Sequence, residues 1–585
     1  MRKKRLAFIC MLFTFIFLLI VGRLIYLMSV ESSDLKVMAE DQRTTKIQIS
    51  AKRGSILDRN FNELAINEGI YRVDLDLKTL RTTLEDSNMN FEQLADKLSP
   101  ILDMKTETIL KILNTTTPKG LPANSALLKR QVEKSVVDKV KALKIRGIVV
   151  SSDTKRYYNN GDFLTSVLGM VNNEGKGASG VELSYDKELS GIPGWISYEK
   201  DAKNNQLPYE TQKITEPVDG KDVVLSIDSN IQQFAEKAAE KAYVDNKAVA
   251  VNIIVMNPKN GEILAMANKP SLDLNTANKV TKPEEVQMLW KNPSVQDNFE
   301  PGSIFKVVTA ASALEYGVGL NDTYSCNGSI KVDGTVMHCW DLNGHGTETF
   351  IDIIKNSCNP GFAELGQKLG KEKLLATANK LGFGQKTGID LPGESSGLLR
   401  SASKINRVDL AALSFGQGLA VNQVQYMAAF NAIANGGTWI RPHIMKQVMH
   451  TDGSNNQVVD KTYNDFGKKT VYNSQLSATL RQDLIKVVTE GAGKNAFVEG
   501  LDIAGKTGTA QIADPATGRY AEGKYMSSFV GMAPASDPKI TLLVTINQPG
   551  GSKYYAGEVS APVAKELFQE IFNYMAFKGE NKVLN

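Results

Sequence analysis

Three short motifs stand in order along the chain: Ser303-Ile-Phe-Lys306, Ser357-Cys-Asn359 and Lys506-Thr-Gly508. The first offers a hydroxyl nucleophile with an amine three residues on. On a helix the two share a face, and a lysine buried there shifts toward its neutral, proton-accepting form. The second offers a hydroxyl and an amide that can pass on a proton and hold a peptide group. The third offers a cation for a carboxylate, with Thr507 and Thr509 as hydroxyl partners. Gly508 would let a substrate backbone approach the strand edge. Together they are equipment for acyl transfer through a serine ester.

Each motif alone is weak, because the chain holds false copies. Ser33/Lys36, Ser152/Lys155, Ser184/Lys187, Ser197/Lys200 and Ser401/Lys404 repeat the first spacing, Ser454/Asn456 the second, and Lys386-Thr387-Gly388 the third. Context separates them. Ser303 follows Pro301-Gly302 and opens an apolar run that predicts a buried helix to Tyr316, stopped by Gly317. The first turn of that helix offers unpaired N–H groups to a developing oxyanion. Lys386 lies among glycines and a proline and reads as a turn residue. Lys506 precedes two strand-like runs, 527–534 and 540–546, which predict an antiparallel meander. Residues 351–356 read as helical, with Pro360 marking the turn after them.

Cysteine and histidine are scarce, four of each, yet Cys326, Cys339, Cys358, His338 and His345 crowd into one span ending inside the second motif. The spacing offers soft ligands for a tetrahedral zinc. Cys326, Cys339 and His345 are the stronger candidates, and Cys358 and His338 compete for the fourth place. A Cys339–Cys358 disulfide and inert buried thiols are the alternatives. Any zinc would be structural, since the serine chemistry requires no cofactor.

The elements that must position these groups begin outside the catalytic part. Four cations, Arg2 to Arg5, precede an apolar stretch from Leu6 to Met28. As a helix it spans roughly 35 Å, a bilayer core, and it lacks the small-residue cleavage site of a signal peptide. The positive-inside rule puts the N-terminus in the cytoplasm and the remainder outside the cell. Residues 31–222 read as an elongated pedestal without catalytic spacing. From 223 to 577 the texture becomes a core domain, in which Lys259-Asn-Gly261 between two apolar runs signals a hairpin. A helix from Ala561 to Phe577 and a polar tail, 578–585, end the chain. Strands at both ends with helices between them predict an α+β domain, an antiparallel sheet covered by helices. Apolar content of 42% allows a full core, and a net charge of only +4 argues against nucleic acid.

The whole chain resembles a class B penicillin-binding protein, most closely the division- or spore-specific branch. The resemblance is carried by the anchor, Arg53-Gly-Ser-Ile-Leu-Asp-Arg59, Gly180-Val-Glu182, Pro301-Gly-Ser303-Ile-Phe-Lys306, Ser357-Cys-Asn359-Pro360, Ser414-Phe-Gly-Gln-Gly418 and Lys506-Thr-Gly508-Thr509. It implies a serine β-lactamase-like transpeptidase fold with the pedestal as a dimerisation domain. By the same resemblance, Ser303 attacks peptidoglycan stem peptides ending in D-Ala-D-Ala, with Lys306 as base and Ser357 as relay. Asn359 holds the substrate amide, and Lys506 with Thr507 binds the carboxylate. Backbone N–H groups of Ser303 and Thr509 form the oxyanion hole. β-Lactams acylate Ser303, and glycan polymerisation comes from a partner glycosyltransferase among wall-synthesis membrane proteins. A D,D-carboxypeptidase or β-lactamase, and a non-enzymatic β-lactam sensor or scaffold, are the rival readings.

Overall fold

The computed structural model describes residues 2–32, 44–118, 120–199, 213–454, 456–464, 466–514 and 517–579. Parts of the expected pedestal (33–43, 200–212) and tail (580–585) lie outside the described residues. The chain divides into two compact units, Met1–Lys52 with Gly191–Gly220, and Arg53–Ser190 with Lys221–Asn585.

The first unit holds the helix Arg2–Ser29 and a small antiparallel sheet in which Gly194–Glu199 pairs with Thr44–Ile49 and Lys213–Thr215. The apolar helix is long enough to cross a bilayer, and none of its most apolar window is buried.

Two sheets organise the second unit. The larger has seven strands. In it Asp222–Leu225 runs parallel to Ile56–Leu57, which pairs antiparallel with the long strand Glu63–Asp76. Behind this sheet's register stands a buried ion network. Glu182, fully buried, accepts from Arg53 Nε at 2.7 Å and from Arg156 Nε at 2.6 Å. Arg53 also reaches Asp186 at 2.6 Å, and Arg156 donates to the Gly54 carbonyl at 2.8 Å. The Arg53 and Glu182 motifs, which offered no catalytic spacing, are therefore two halves of one internal clamp.

The smaller sheet carries the third motif. Its five antiparallel strands lie in the order Ile263–Lys269, Ala250–Met256, Ile540–Asn547, Tyr520–Ala533, Ala504–Ala513. Side chains alternate between two cores. Ile253, Val255, Leu542, Val544 and Phe529 pack against the helices Ser229–Asp245 and Ala556–Phe577. Ile254, Met256, Leu543, Val530 and Met532 join the larger core that surrounds the helix Lys306–Tyr316. This is the expected antiparallel sheet covered by helices, with the hairpin around Asn260-Gly261 in place. The last helix starts five residues before the expected Ala561, with Pro562 inside its first turns.

Removing the shared carboxylate leaves the buried Arg156 guanidinium without an ion pair and strips Arg53 of one of its two. Glu182→Ala should therefore destabilise the protein by about 3–5 kcal/mol. Urea unfolding of the purified protein measures it, and a loss below about 1 kcal/mol would refute the clamp.

Candidate active site

Ser303 sits half-buried in a 3₁₀ turn, Gly302–Phe305, that runs straight into the helix Lys306–Tyr316. Lys306 to Ala313 are all buried, and Gly317 stops the helix with a left-handed backbone, φ 64°. The turn is fastened on several sides. Tyr426 donates its hydroxyl to the Ile304 carbonyl at 2.7 Å, and Gly302 N–H meets the Gly416 carbonyl at 3.0 Å. A Cβ on Gly416 would lie 1.9 Å from the Gly302 carbonyl oxygen. A Cβ on Gly508 would lie 3.0 Å from Ile304 N. Gly508 is thus small because the nucleophile turn presses on it, a closer constraint than the substrate approach expected of it.

Lys306 and Lys506 are both fully buried, and both aim at one hydroxyl. Lys306 Nζ lies 3.3 Å from Ser357 Oγ and Lys506 Nζ 2.8 Å from it. Lys306 also donates to the Ser357 carbonyl and to Asn359 Oδ1, both at 2.7 Å, and Lys506 to the Thr507 carbonyl at 2.9 Å. Burial pulls the Lys306 ammonium down to about 8, and burial together with the Lys306 charge pulls Lys506 well below the ordinary lysine range. The arrangement brings Lys306 of the first motif, Ser357 and Asn359 of the second and Lys506 of the third together. It adds one feature the spacing hides: Lys506 is hydrogen-bonded to the Ser357 hydroxyl.

Ser357 occupies a left-handed backbone conformation, φ 55°. It falls in the break between the helices Phe350–Lys355 and Asn359–Leu369. Pro360, expected to mark a turn, instead sits in the first turn of the second helix, where a missing N–H costs nothing. Asn359 uses both ends of its amide, accepting from Lys306 and donating to the His338 carbonyl at 3.0 Å.

Along the strand Ala504–Ala513, alternation puts Lys506 and Gly508 toward the nucleophile turn and Thr507 and Thr509 on the opposite face. Thr509 Oγ1 accepts the Ala556 N–H at 3.0 Å, at the start of the last helix. This strand is the edge of its sheet. Beside it stands a stack that sequence reasoning missed: Tyr525, Tyr554 and Tyr555, with ring centroids 4.2 Å and 4.4 Å apart. The adjacent tyrosines were the available signal, but nothing local said which strand they would face. Lys386-Thr387-Gly388 lies in irregular structure, with Thr387 tied to Glu394.

Three of the scarce cysteines and one histidine do meet. Reactive atoms of Cys326, Cys339, His345 and Cys358 all lie within 4.8 Å of one another, and Cys339 Sγ is 3.7 Å from His345 Nδ1. All three thiols are free and buried. His338 is exposed and outside the cluster, so of the two rivals for the fourth place the geometry brings in Cys358.

Known proteins share this architecture. Residues 251–569 match the penicillin binding protein transpeptidase domain and residues 48–225 the penicillin-binding protein dimerisation domain. The chain is 36% identical to stage V sporulation protein D of Bacillus subtilis, over 97% of this chain and 85% of that protein. It is 31% identical to the peptidoglycan D,D-transpeptidase FtsI of Escherichia coli, over 95% and 88%. Penicillin binding protein 2X of Streptococcus thermophilus superimposes with a TM-score of 0.71 at 28% identity, over 92% of this chain and 82% of that one. Penicillin binding protein 3 of Mycobacterium tuberculosis, complexed with ampicillin, superimposes with a TM-score of 0.67 at 25% identity, over 91% and 96%.

The contact at Gly416 is testable without an assay of function. Gly416→Ala should lose about 1–3 kcal/mol or more from overpacking against the Gly302 carbonyl. Gly453→Ala, whose Cβ direction is open, should stay within about 0.5 kcal/mol. Equal melting temperatures for the two variants would remove the proposed constraint on the turn.

Proposed function

The chain belongs to the penicillin-binding protein transpeptidase family, and from that premise we propose the following division of labour for a membrane-anchored D,D-transpeptidase that cross-links peptidoglycan. Ser303 attacks the carbonyl of the penultimate D-Ala of a stem peptide, giving its proton to neutral Lys306. The last D-Ala leaves as an amine, protonated through Ser357. An amine on a neighbouring strand then takes the acyl group from Ser303. β-Lactams acylate the same oxygen.

The observation that carries this reading is the convergence of two buried amines on the Ser357 hydroxyl, at 3.3 and 2.8 Å. A hydroxyl has two acceptor lone pairs and one proton to give. Ser357 can accept from both ammonium groups, or give its own proton to one that is neutral, and so connects the base to the leaving group. Lys506 supplies the positive field for the terminal carboxylate, whose arrival favours the charged lysine. The resemblance gives the Thr507 hydroxyl, with Lys506, to that carboxylate; Thr507 is buried on the opposite face of the strand, so the contact would be made across the strand edge. Thr509 accepts from Ala556 N–H, so its own O–H remains to donate. Backbone N–H groups of Ser303 and Thr509 stabilise the oxyanion, Asn359 holds the peptide, and the tyrosine stack walls the cleft. Residues 223–577 form the catalytic domain and 31–222 the pedestal. The N-terminus is cytoplasmic, both domains are outside the cell, and a separate glycosyltransferase polymerises the glycan.

The donor set Cys326, Cys339, His345 and Cys358 fits zinc. A tetrahedral site with bonds of 2.0–2.3 Å sets ligand atoms about 3.6–3.8 Å apart, close to the 3.7 Å between Cys339 and His345. His345 Nε2 is buried without a hydrogen-bond partner among the described residues. Bound zinc would be structural, tying the Cys339–His345 segment to the loop that carries Ser357.

Fluorescent penicillin should label the wild type and leave Ser303→Ala unlabelled; equal labelling of both, or of neither, would sink the assignment. Because Lys306 must be neutral to accept the proton and titrates at about 8, the acylation rate should rise about tenfold per pH unit below that value and level off above it. A flat profile between pH 6 and about 9 would remove Lys306 as base. Metal analysis should find one zinc per chain, lost in Cys339→Ser. No zinc, with one pair of cysteines protected from thiol reagents, would replace the metal by a disulfide.

A further inference from the structure

Glu300 is an acidic group beside the nucleophile that the mechanism leaves unused. It lies three residues before Ser303, half-buried. Its two oxygens meet only neutral donors in the hydrogen bonds seen here: Oε1 accepts Gly418 N–H at 3.0 Å and Oε2 accepts the Tyr520 hydroxyl at 2.9 Å. No ion pair to Glu300 is found among the described residues. Arg400, which borders Gly418, pairs with Asp409 at 3.0 Å. Burial pushes the Glu300 carboxyl above its ordinary range. A carboxylate partly removed from water without a cation is unfavourable, and a cation that came to it would repay that cost.

Its place in the cleft says which cation. Tyr520 opens the strand paired with the substrate-side strand, in register with Ala513. Gly302, between Glu300 and Ser303, packs on Ala510 of the same strand. Glu300 therefore stands beside the far half of the edge strand, beyond Lys506 and Gly508, and its opposite charge keeps the two ends distinct. A stem peptide laid along the edge with its carboxylate toward Lys506 runs toward Glu300 with the rest of its length. On the transpeptidase reading the acceptor is itself an amine, and an amine on the remaining length of such a peptide is the cation it would bring to Glu300.

We propose that Glu300, held by Gly418 and Tyr520, recognises a side-chain primary ammonium of a stem peptide. This rests on the transpeptidase reading and specifies its amine site. The ammonium could belong to the donor strand or to the acceptor. In the acceptor case, attack forms the amide C–N bond and breaks the ester C–O bond to Ser303. Of the two protons the ammonium loses, one reaches the Ser303 oxygen through Lys306 and the other leaves to solvent.

The test uses the full chain in detergent with a depsipeptide donor ending in D-alanyl-D-lactate. One arm supplies a tripeptide with a free side-chain amine as acceptor and reads aminolysis against hydrolysis per acyl-enzyme formed. The other compares kcat/KM for acylation by donors with a free or an acetylated side-chain amine. Glu300→Gln should cut one of these ratios at least fivefold: the first if the acceptor binds there, the second if the donor does. Glu300→Asp should restore part of it. If Glu300→Gln does not fold, the wild-type ratio should itself fall as salt rises from about 0.05 to 1 M, because screening weakens the ion pair. Both ratios within twofold of wild type, or no salt dependence, would overturn the proposal. So would equal losses with free and acetylated amines, which would make Glu300 a support of the nucleophile turn. If the wild type forms no acyl-enzyme at all, the transpeptidase reading fails instead.

Discussion

Two lysine side chains with no exposed surface share one serine hydroxyl, and most of the surrounding architecture follows from that. A buried ammonium is costly unless it is hydrogen-bonded or gives up its proton. Here both remedies operate. Lys306 and Lys506 are shifted toward neutrality, and between them they find the Ser357 carbonyl, the Asn359 amide oxygen and the Thr507 carbonyl as acceptors. A site that keeps one of the pair near its titration point at neutral pH can move a proton either way at little cost.

Those acceptors are available because of the backbone at Ser357. A left-handed conformation at a residue with a side chain costs about 1–2 kcal/mol. It aims both the carbonyl and the hydroxyl of Ser357 at Lys306. The surroundings oppose relaxation. Cys358 N–H bonds the Ile353 carbonyl at 3.0 Å, and Cys358 Sγ caps the next helix through Gly361 N–H at 3.4 Å. From the other side, Trp340 donates to the Asn356 carbonyl at 2.8 Å, and Asn359 donates to His338. The cysteine–histidine segment is thus fastened to the residues on either side of Ser357, Asn356 and Asn359.

Much of this was legible in the residues. The nucleophile helix, the Asn-Gly hairpin, the meander and the cysteine–histidine cluster all followed from local pattern, because each depends on neighbours in the chain or on strongly biased composition. What escaped depends on contacts between distant segments. Lys506 reads as a carboxylate binder, and only the packing of its strand against the second motif reveals its bond to Ser357. Gly508 reads as a substrate-side glycine until the backbone of the Gly302–Phe305 turn is seen against it. Pro360 reads as marking a turn until a helix is found to begin there, and Thr509 reads only as a substrate partner until Ala556 N–H is found bonded to its hydroxyl.

The same contacts make the strand register decisive. Lys506 pairs with Val530, whose side chain belongs to the core around the nucleophile helix, while Thr507 pairs with Phe529, which belongs to the core of the terminal helices. A slip of one residue would exchange the faces, sending Lys506 away from Ser357 and a threonine Cβ into the space that Gly508 leaves beside Ile304. The slip would also exchange Ile503 and Ala504, at the start of the strand, between the two cores to which they are committed. Burial on both faces of the sheet therefore fixes the lysine to within a hydrogen-bond length of its target, and apolar packing far from Ser303 sets the geometry on which proton transfer depends.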